Sequence, residues 1–465
     1  MRTYKLANRE QLLLFPPSLN DWIPANHPVR FVLDVVQKLD LKDIYGIYET
    51  SNGGAPPYDP AMMLGILLYG YMMGVTSSRK LEQAIVNDIG FRYLTGNQQL
   101  DHDTIANFRK RHSERLPSIF AQVVEMAVKI GIVRLGHVAI DGTKIRSNAS
   151  RWQRKTEEEL LKQKQSIKQY FQQCDEEDAY EDAEFGKGKN GYMLSEAMTD
   201  EKARQQWIDE ALKELANENN QPCSESEAED KRGPKGPLEK KLEKVEQTLK
   251  ALKTQKEEEE KNDPSGKLRR KRERKRGAKQ EPKINQTDFD SRIMRFGDGR
   301  YNEGYNCQIA VDDWDGVIVA ADITQEAADQ RQLLPMVLQV QSNTGWLPDN
   351  VTADNSYFNT EHIENKRLKS IEFYVKPNNS AHEKKPNTKS ERMRDRLATE
   401  LGHRLYNARK TIVEPVFGII KHARRFRQFL TRGKPGVKGE WMLWCTAHNM
   451  LKLLRQAGNF TQALA

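Results

Sequence analysis

Apolar and polar positions divide the 465-residue chain into stretches of different texture. Residues 1 to about 135 read as helical. Asp59–Tyr71 is an apolar run that begins after Pro56-Pro57 and stops at Gly74, which predicts a helix bounded by breakers. A second helix is predicted from Ser77 to about Leu94, with Ser78 as its cap. A third is predicted after Asp103 in DTIANFRKRH, capped by Asp103 or Thr104. These short helices have glycine-containing turns and carry Arg79, Lys80, Arg109, Lys110 and Arg111. They fit two architectures, a helix-turn-helix that reads DNA and a helical bundle with a solvated basic face.

His137–Ile145 reads as a strand, and from about Arg146 to Asp288 the chain turns polar and charged. Within that stretch Leu238, Leu242, Val245, Leu249 and Leu252 follow a 4-3-4-3 spacing, the seam of a short coiled coil or helical hairpin. Trp207, Ala211 and Leu215 suggest a shorter helix, and Gln221–Gly236 reads as a loop. In Lys267–Lys279 nine of thirteen residues are Lys or Arg, which fits either a solvated segment or a phosphate-binding arm.

Sheet texture returns at Tyr305–Asp312 and Val317–Thr324, joined by the turn residues DDWDG, so the two read as a hairpin. There follow a helix over Ala328–Gln341, a strand ending in Asp354, a short helix around Thr360–Leu368 and a strand Ile371–Pro377. Asn378–Arg396 reads as a loop. The chain closes on an amphipathic helix from about Glu440 to Arg455, with Trp441 and Trp444 in its core face. This order predicts a ribonuclease-H-like α/β fold, a mixed sheet with a large helical insertion after its first strand and an all-helical domain before it. The predicted division is a helical domain over 1–135, a catalytic domain over 136–145 and 289–465, and the insertion over 146–288.

Hydrophobic residues make up 37% of the chain and charged residues 30%, with a formal charge of +8. The basic balance favours a polyanionic partner. The four cysteines form no C-x-x-C pair, which argues against a zinc site and a disulfide framework and fits reduced thiols in the cytoplasm. The apolar run Leu12–Phe15 is too short for a secretory signal, and Ala61–Val75 is too short and too glycine-broken for a membrane span.

Candidate chemistry rests on carboxylates. Asp141 lies in VAIDGTK and Asp354 ends VTADNSY, each among apolar neighbours where an ionised acid is costly unless it meets a cation. Strands of one sheet would bring both to one edge. Such acids suit two Mg²⁺ ions, with Mn²⁺ as a substitute, one activating the attacking oxygen and one stabilising the leaving oxygen of an in-line phosphoryl displacement. Between Arg404 and Glu440 ten Lys or Arg accompany two acids, one of them Glu414. Pro415 follows Glu414 directly, which predicts a helix that starts or kinks there and sets the carboxylate near a helix N-terminus. His403, His422 and His448 have no ligand-like spacing.

The segment YNARKTIVEPVFGIIKHARRFRQFLTRG (Tyr406–Gly433) resembles the C-terminal signature of bacterial insertion-sequence DDE transposases of the Tyr-Arg-Glu-Lys group. The matching positions are Tyr406, Arg409, Glu414 and Lys421. AIDGTKIRSNAS (Ala139–Ser150) and ADNSYFN (Ala353–Asn359) resemble the first- and second-aspartate motifs. NREQLLLFPPSLNDWIPANHPVR, YDPAMMLGILLYGYMMGVTSSRKLE and DHDTIANFRKRH look like the InsH-type N-terminal domain that accompanies them. Two departures are Ser356, where the second motif commonly has glycine, and the four residues between Arg409 and Glu414.

The resemblance implies a metal-dependent transposase that cuts transposon ends and joins them to target DNA, with cut-and-paste movement. It implies Asp141, Asp354 and Glu414 as catalytic metal ligands, and Tyr406, Arg409, Lys421, Arg424 and Arg425 as the DNA-binding set. The expected partner is double-stranded DNA, terminal inverted repeats and target, held by a homodimer in the bacterial cytoplasm. Two rivals are a nuclease of the same fold without strand transfer and a domesticated, non-catalytic DNA-binding protein.

Overall fold

The computed structural model describes residues 18–49, 56–185, 201–202, 205–206, 208, 235–262, 282–377 and 389–463. The expectations for Leu12–Phe15, for the helix through Trp207, Ala211 and Leu215, and for the basic block Lys267–Lys279 lie outside the described residues. Contacts divide the chain into two units, Met1–Trp152 with Asp290–Ala465, and Gln153–Phe289.

In the first unit the N-terminal helices are α1 (Leu19–Trp22), α2 (Pro28–Lys38), α3 (Lys42–Glu49), α4 (Pro60–Met73), α5 (Ser78–Asn87), α6 (Ile89–Leu94), α7 (His102–Arg111) and α8 (Leu116–Ile130). Helix α4 is the predicted apolar run. The Asp59 carboxylate accepts from the N–H groups of Ala61 and Met62, Pro60 supplies the fixed first φ, and Gly74 closes the helix at φ 78°. Nearly all of α4 is buried, as an all-round apolar helix must be. The single helix expected over Ser77–Leu94 is instead two. Asp88 leaves helical geometry, and its carboxylate accepts from Gly90 and Phe91 N–H to start α6. The cap of α7 is Asp101, not Asp103 or Thr104. Its carboxylate takes both the N–H and the hydroxyl of Thr104.

The sheet comprises β1 (His137–Arg146), β4 (Arg292–Arg295), β5 (Tyr301–Asp312), β6 (Ile318–Thr324), β7 (Asn350–Ala353) and β8 (Glu372–Val375), with β2 (Arg154–Lys155) and β3 (Ile284–Asn285) in the second unit. Its order is β4-β5-β1-β7-β8, and β6 also pairs with β5. β4, β5, β1 and β6 run antiparallel to their neighbours, while β7 and β8 continue from β1 in parallel. This is a mixed sheet in an α/β unit. After α9 (Glu157–Phe185) and α10 (Lys235–Asn262) of the second unit, the helices in chain order are α11 (Leu333–Thr344), α12 (Thr360–Ile363), α13 (Lys389–Ala398), α14 (Glu400–Gly418) and α15 (Lys434–Ala463). Part of the predicted loop Asn378–Arg396 is thus the helix α13. Its apolar Met393 is buried and Leu397, one turn on, packs partly buried against the core, a pair too short to stand out as a periodic pattern in a charged segment.

The N-terminal helices and the sheet contribute to one hydrophobic cluster. Helix α15 carries much of it. Trp441 and Trp444 are buried, and Trp444 meets the Tyr71 ring edge-on at 4.9 Å. The Glu440 carboxylate, fully enclosed, accepts from the N–H groups of Leu430 and Thr431 and from the Thr431 hydroxyl, which fixes the turn into α15. Gly439 lies so close to Ser113 that an added Cβ would come to 2.6 Å from its carbonyl oxygen.

The second unit joins α9 (Glu157–Phe185) and α10 (Lys235–Asn262) through Leu160, Ile167, Val245, Leu249 and Leu252, with Ile284 beneath. The predicted leucine seam is therefore used within one chain, as a helix pair. β2 and β3 close it at the base, where Gln286 N–H donates to the Gln153 carbonyl at 3.0 Å. Among the described residues no single helix is long and apolar enough to cross a membrane. α4 and α5 reach that length only together, with a 96° bend between them.

Candidate active site

Parallel pairing of β1 and β7 runs in register from His137↔Asn350 to Ile140↔Ala353. The next residue on each strand is Asp141 and Asp354, so two aspartates stand side by side where β7 ends. β7 ends because the Asp354 carboxylate turns back to accept from Asn355 N–H at 2.6 Å, starting a single 3₁₀ turn over Asn355–Tyr357.

Asp141 sits in the middle of the sheet with its side chain mostly covered. One carboxylate oxygen accepts from Gly142 N–H at 2.8 Å, and the other from the Arg409 guanidinium at 3.3 Å. Burial pushes its pKa from 3.8 up to about 6. Gly142 N–H and Arg409 oppose the rise, while the negative charges of Asp354 and Asp329 add to it. Arg409 reaches in from α14 and is itself buried, its Nε holding no partner among the described residues. Tyr406, one turn earlier, places its ring 5.9 Å from that guanidinium and has its pKa raised by burial and by Asp354.

Lys421 also reaches β1, donating to the Thr143 hydroxyl at 2.8 Å. Asp141 and Thr143 are two apart on the strand and share its α14 face. Lys421 belongs to a π-helical turn, Ile419–Ala423, that continues α14. Burial lowers the Lys421 pKa.

The expectation of a helix start or kink at Pro415 is corrected. α14 runs unbroken through it, and Glu414 lies near the helix C-terminus instead of an N-terminus. Proline's missing N–H costs one hydrogen bond, and α14 gives way three residues later to the wider π turn. Glu414 is exposed, five residues from Arg409 and turned from it by ~140° about the helix axis. The structure therefore brings together Asp141, Asp354, Arg409 and Tyr406, with Lys421 two strand positions away. It does not draw Glu414 into their contacts, and among the described residues no three His, Cys, Asp or Glu side chains are grouped to hold a metal ion. Arg424 and Arg425 also stand apart. Arg424 is half-buried, its pKa lowered to about 10 by burial and by Arg455 of α15, and Arg425 is exposed at φ 59°.

The opposite face of β1 holds residues that the sequence reading passed over. Gln308 is the cross-strand partner of Gly142. Its amide nitrogen donates to Asp329 at 2.9 Å, and its amide oxygen accepts from the Tyr357 hydroxyl. Asn306 donates to the same Asp329 oxygen at 2.6 Å. A signal was present, since Asn306 and Gln308 alternate with Tyr305, Cys307 and Ile309, a polar set on one face of a strand whose other face is apolar there.

Comparison with known families is decisive at this point. Residues 281–450 match the transposase DDE domain, and residues 17–111 match the transposase domain DUF772. The chain belongs to the DDE transposases. The two matches together cover more than half of it. Neither the curated proteins nor the solved structures offer a match. The DDE match takes in Asp354 and Glu414 but begins after Asp141. β1, which lies outside the match, is hydrogen-bonded between β5 and β7, both inside the matched stretch. As a DDE transposase the protein acts on DNA, in a family that generally uses divalent metal ions.

Proposed function

We propose that this transposase cleaves transposon ends and joins the freed 3′-hydroxyls to target DNA at the Asp141–Asp354 pair, by cut-and-paste movement. The single observation that carries the reading is the in-register placement of the two aspartates at the end of β7. The sheet order, with β1 central, antiparallel strands on one side and parallel strands on the other, supports a ribonuclease-H-like catalytic domain. By function we divide the chain into a DNA-reading part over 1–135, the catalytic part over 136–145 and 289–465, and the insertion over 146–288.

The residues fit a divalent cation. Two adjacent carboxylates, one of them raised to about 6 by burial, form an oxygen donor set of the kind Mg²⁺ and Mn²⁺ prefer. Asp141 and Asp354 would hold the ions, two in the full site. Bound there, the cations would supply Lewis acidity toward the attacking and leaving oxygens. Glu414 lies on the helical segment between Arg409 and Lys421, both of which reach β1, and we assign it as the acid that joins the pair when DNA is bound.

The other side chains have separate tasks. The Arg409 guanidinium, beside the aspartates, would place a positive charge next to a phosphate oxygen bound there. Lys421 brings a second positive charge along β1, and Tyr406 can donate to a phosphate or stack on an unpaired base. Arg424 and Arg425 would bind the DNA backbone further along. Two ends must be cut together, so the active form is assigned as a homodimer on terminal inverted repeats, working in the cytoplasm.

The test is joining of pre-cut transposon ends to a target plasmid with Mg²⁺. Asp141→Asn and Asp354→Asn should each reduce joining by roughly 10³-fold or more, and Glu414→Gln comparably. Wild-type joining by either aspartate variant would refute the assignment of the pair.

A further inference from the structure

On the face of β1 opposite the aspartates, a buried hydrogen-bond chain links the residue after Asp141 to the turn after Asp354. It begins at Asp329, one oxygen of which accepts from both Asn306, at 2.6 Å, and Gln308, at 2.9 Å. These two donations fix the Gln308 amide with its nitrogen toward Asp329, which turns its oxygen toward the Tyr357 hydroxyl that donates to it. Gln308, Asn306 and Tyr357 are all fully buried. Tyr357 ends the 3₁₀ turn whose first residue is bonded by the Asp354 side chain, and its own N–H donates to the Asp354 carbonyl at 3.0 Å.

Gly142 completes the arrangement. A Cβ there would overlap the Gln308 amide nitrogen and lie 3.0 Å from both the Asp329 oxygen and the Tyr357 hydroxyl. The glycine after Asp141 is thus a space requirement of the chain of bonds. From the other side the Trp441 indole N–H donates to the Gln308 carbonyl at 3.2 Å, which ties β5 to α15.

We propose that Asp329, Gln308 and Tyr357 are positioning residues that set the separation of Asp141 and Asp354 for divalent-metal binding. None of the three reaches the α14 face, where the Asp141 carboxylate meets Arg409. They act through Gly142 on one strand and through the 355–357 turn on the other. Groups that orient metal ligands in this way typically contribute tenfold or more to metal affinity. The inference rests on the reading that Asp141 and Asp354 hold the metal.

The test measures Mn²⁺ binding to the DNA-free protein by electron paramagnetic resonance, with folding followed by circular dichroism. Tyr357→Phe removes one hydroxyl, and Asp329→Ala removes the shared acceptor. Each should weaken Mn²⁺ binding by roughly tenfold while a cooperative thermal transition remains. Asp329→Asn keeps an acceptor oxygen and should restore most of the affinity. Asp141→Asn and Asp354→Asn are measured alongside. If these two abolish Mn²⁺ binding while folded Tyr357→Phe binds as wild type does, the positioning role is overturned and the metal reading stands. If Asp141→Asn and Asp354→Asn also bind as wild type, the metal reading itself fails. Should Asp329→Ala not fold, Tyr357→Phe alone decides.

Discussion

Asp141 links the proposed chemistry to stability in one group. Its ordinary carboxyl value is 3.8, and in the folded metal-free protein it is raised to about 6. The folded state therefore holds that proton more tightly than the unfolded chain does. Its stabilising contribution is complete below the ordinary value and is lost as pH rises through about 6. Above that pH the ionised carboxylate lowers metal-free stability by something on the order of 1–3 kcal/mol. Asparagine is uncharged at every pH, like the protonated acid, and its one amide oxygen can accept from Arg409 or from Gly142 N–H. Asp141→Asn should thus raise the metal-free melting temperature at pH 8, with the gain vanishing near pH 4. Thermal unfolding at those two pH values in a chelating buffer checks this, and equal melting temperatures at pH 8 would contradict it. Adding Mn²⁺ should reverse the order at pH 8, because only the wild type then gains a bound cation.

At the scale of elements, the close approach of α15 to Ser113 carries a prediction. Gly439→Ala must push against backbone, not a flexible side chain, and should destabilise the protein by roughly 1–3 kcal/mol, read as a lower denaturation midpoint. The same scale shows what the sequence made legible. β5, β6 and β7 are visible because their apolar residues run or alternate along the strand and β1 from its apolar start Val138–Ile140, and the adjacency of Asp141 and Asp354 follows once β1 and β7 pair. Helix α4 was visible from its run of apolar residues between Pro60 and Gly74. Other features depend on partners distant in the chain or on single bonds. The break at Asp88 and the cap at Asp101 turn on which of several aspartates reaches a free N–H. Helix α15 begins earlier than its amphipathic pattern, because Val437 is buried and the Glu440 carboxylate anchors the preceding turn. Glu414 could be read as a motif position. Its orientation could not, because an unbroken helix through Pro415 runs against the local preference.

For the whole molecule, the first unit folds around one core shared by the N-terminal helices and the sheet, with Tyr71 and Trp444 in contact. The second unit closes on itself through β2 and β3. Replacing residues 156–283 by a short Gly/Ser linker should therefore leave a protein that unfolds in one cooperative transition, with the sheet intact by circular dichroism. Loss of that transition would show that the first unit depends on the insertion for its stability. The shared core also means that large-to-small changes in α4, such as Leu67→Ala, should cost about 2–5 kcal/mol and melt the sheet together with the helices. The account as a whole depends on two aspartates from neighbouring parallel strands gripping the same divalent cation. The most direct measurement is the anomalous-scattering map of crystals grown with Mn²⁺. A peak about 2.0–2.4 Å from carboxylate oxygens of both Asp141 and Asp354 is the predicted result. Mn²⁺ bound elsewhere at saturating concentration, with no peak between those two side chains, would contradict it.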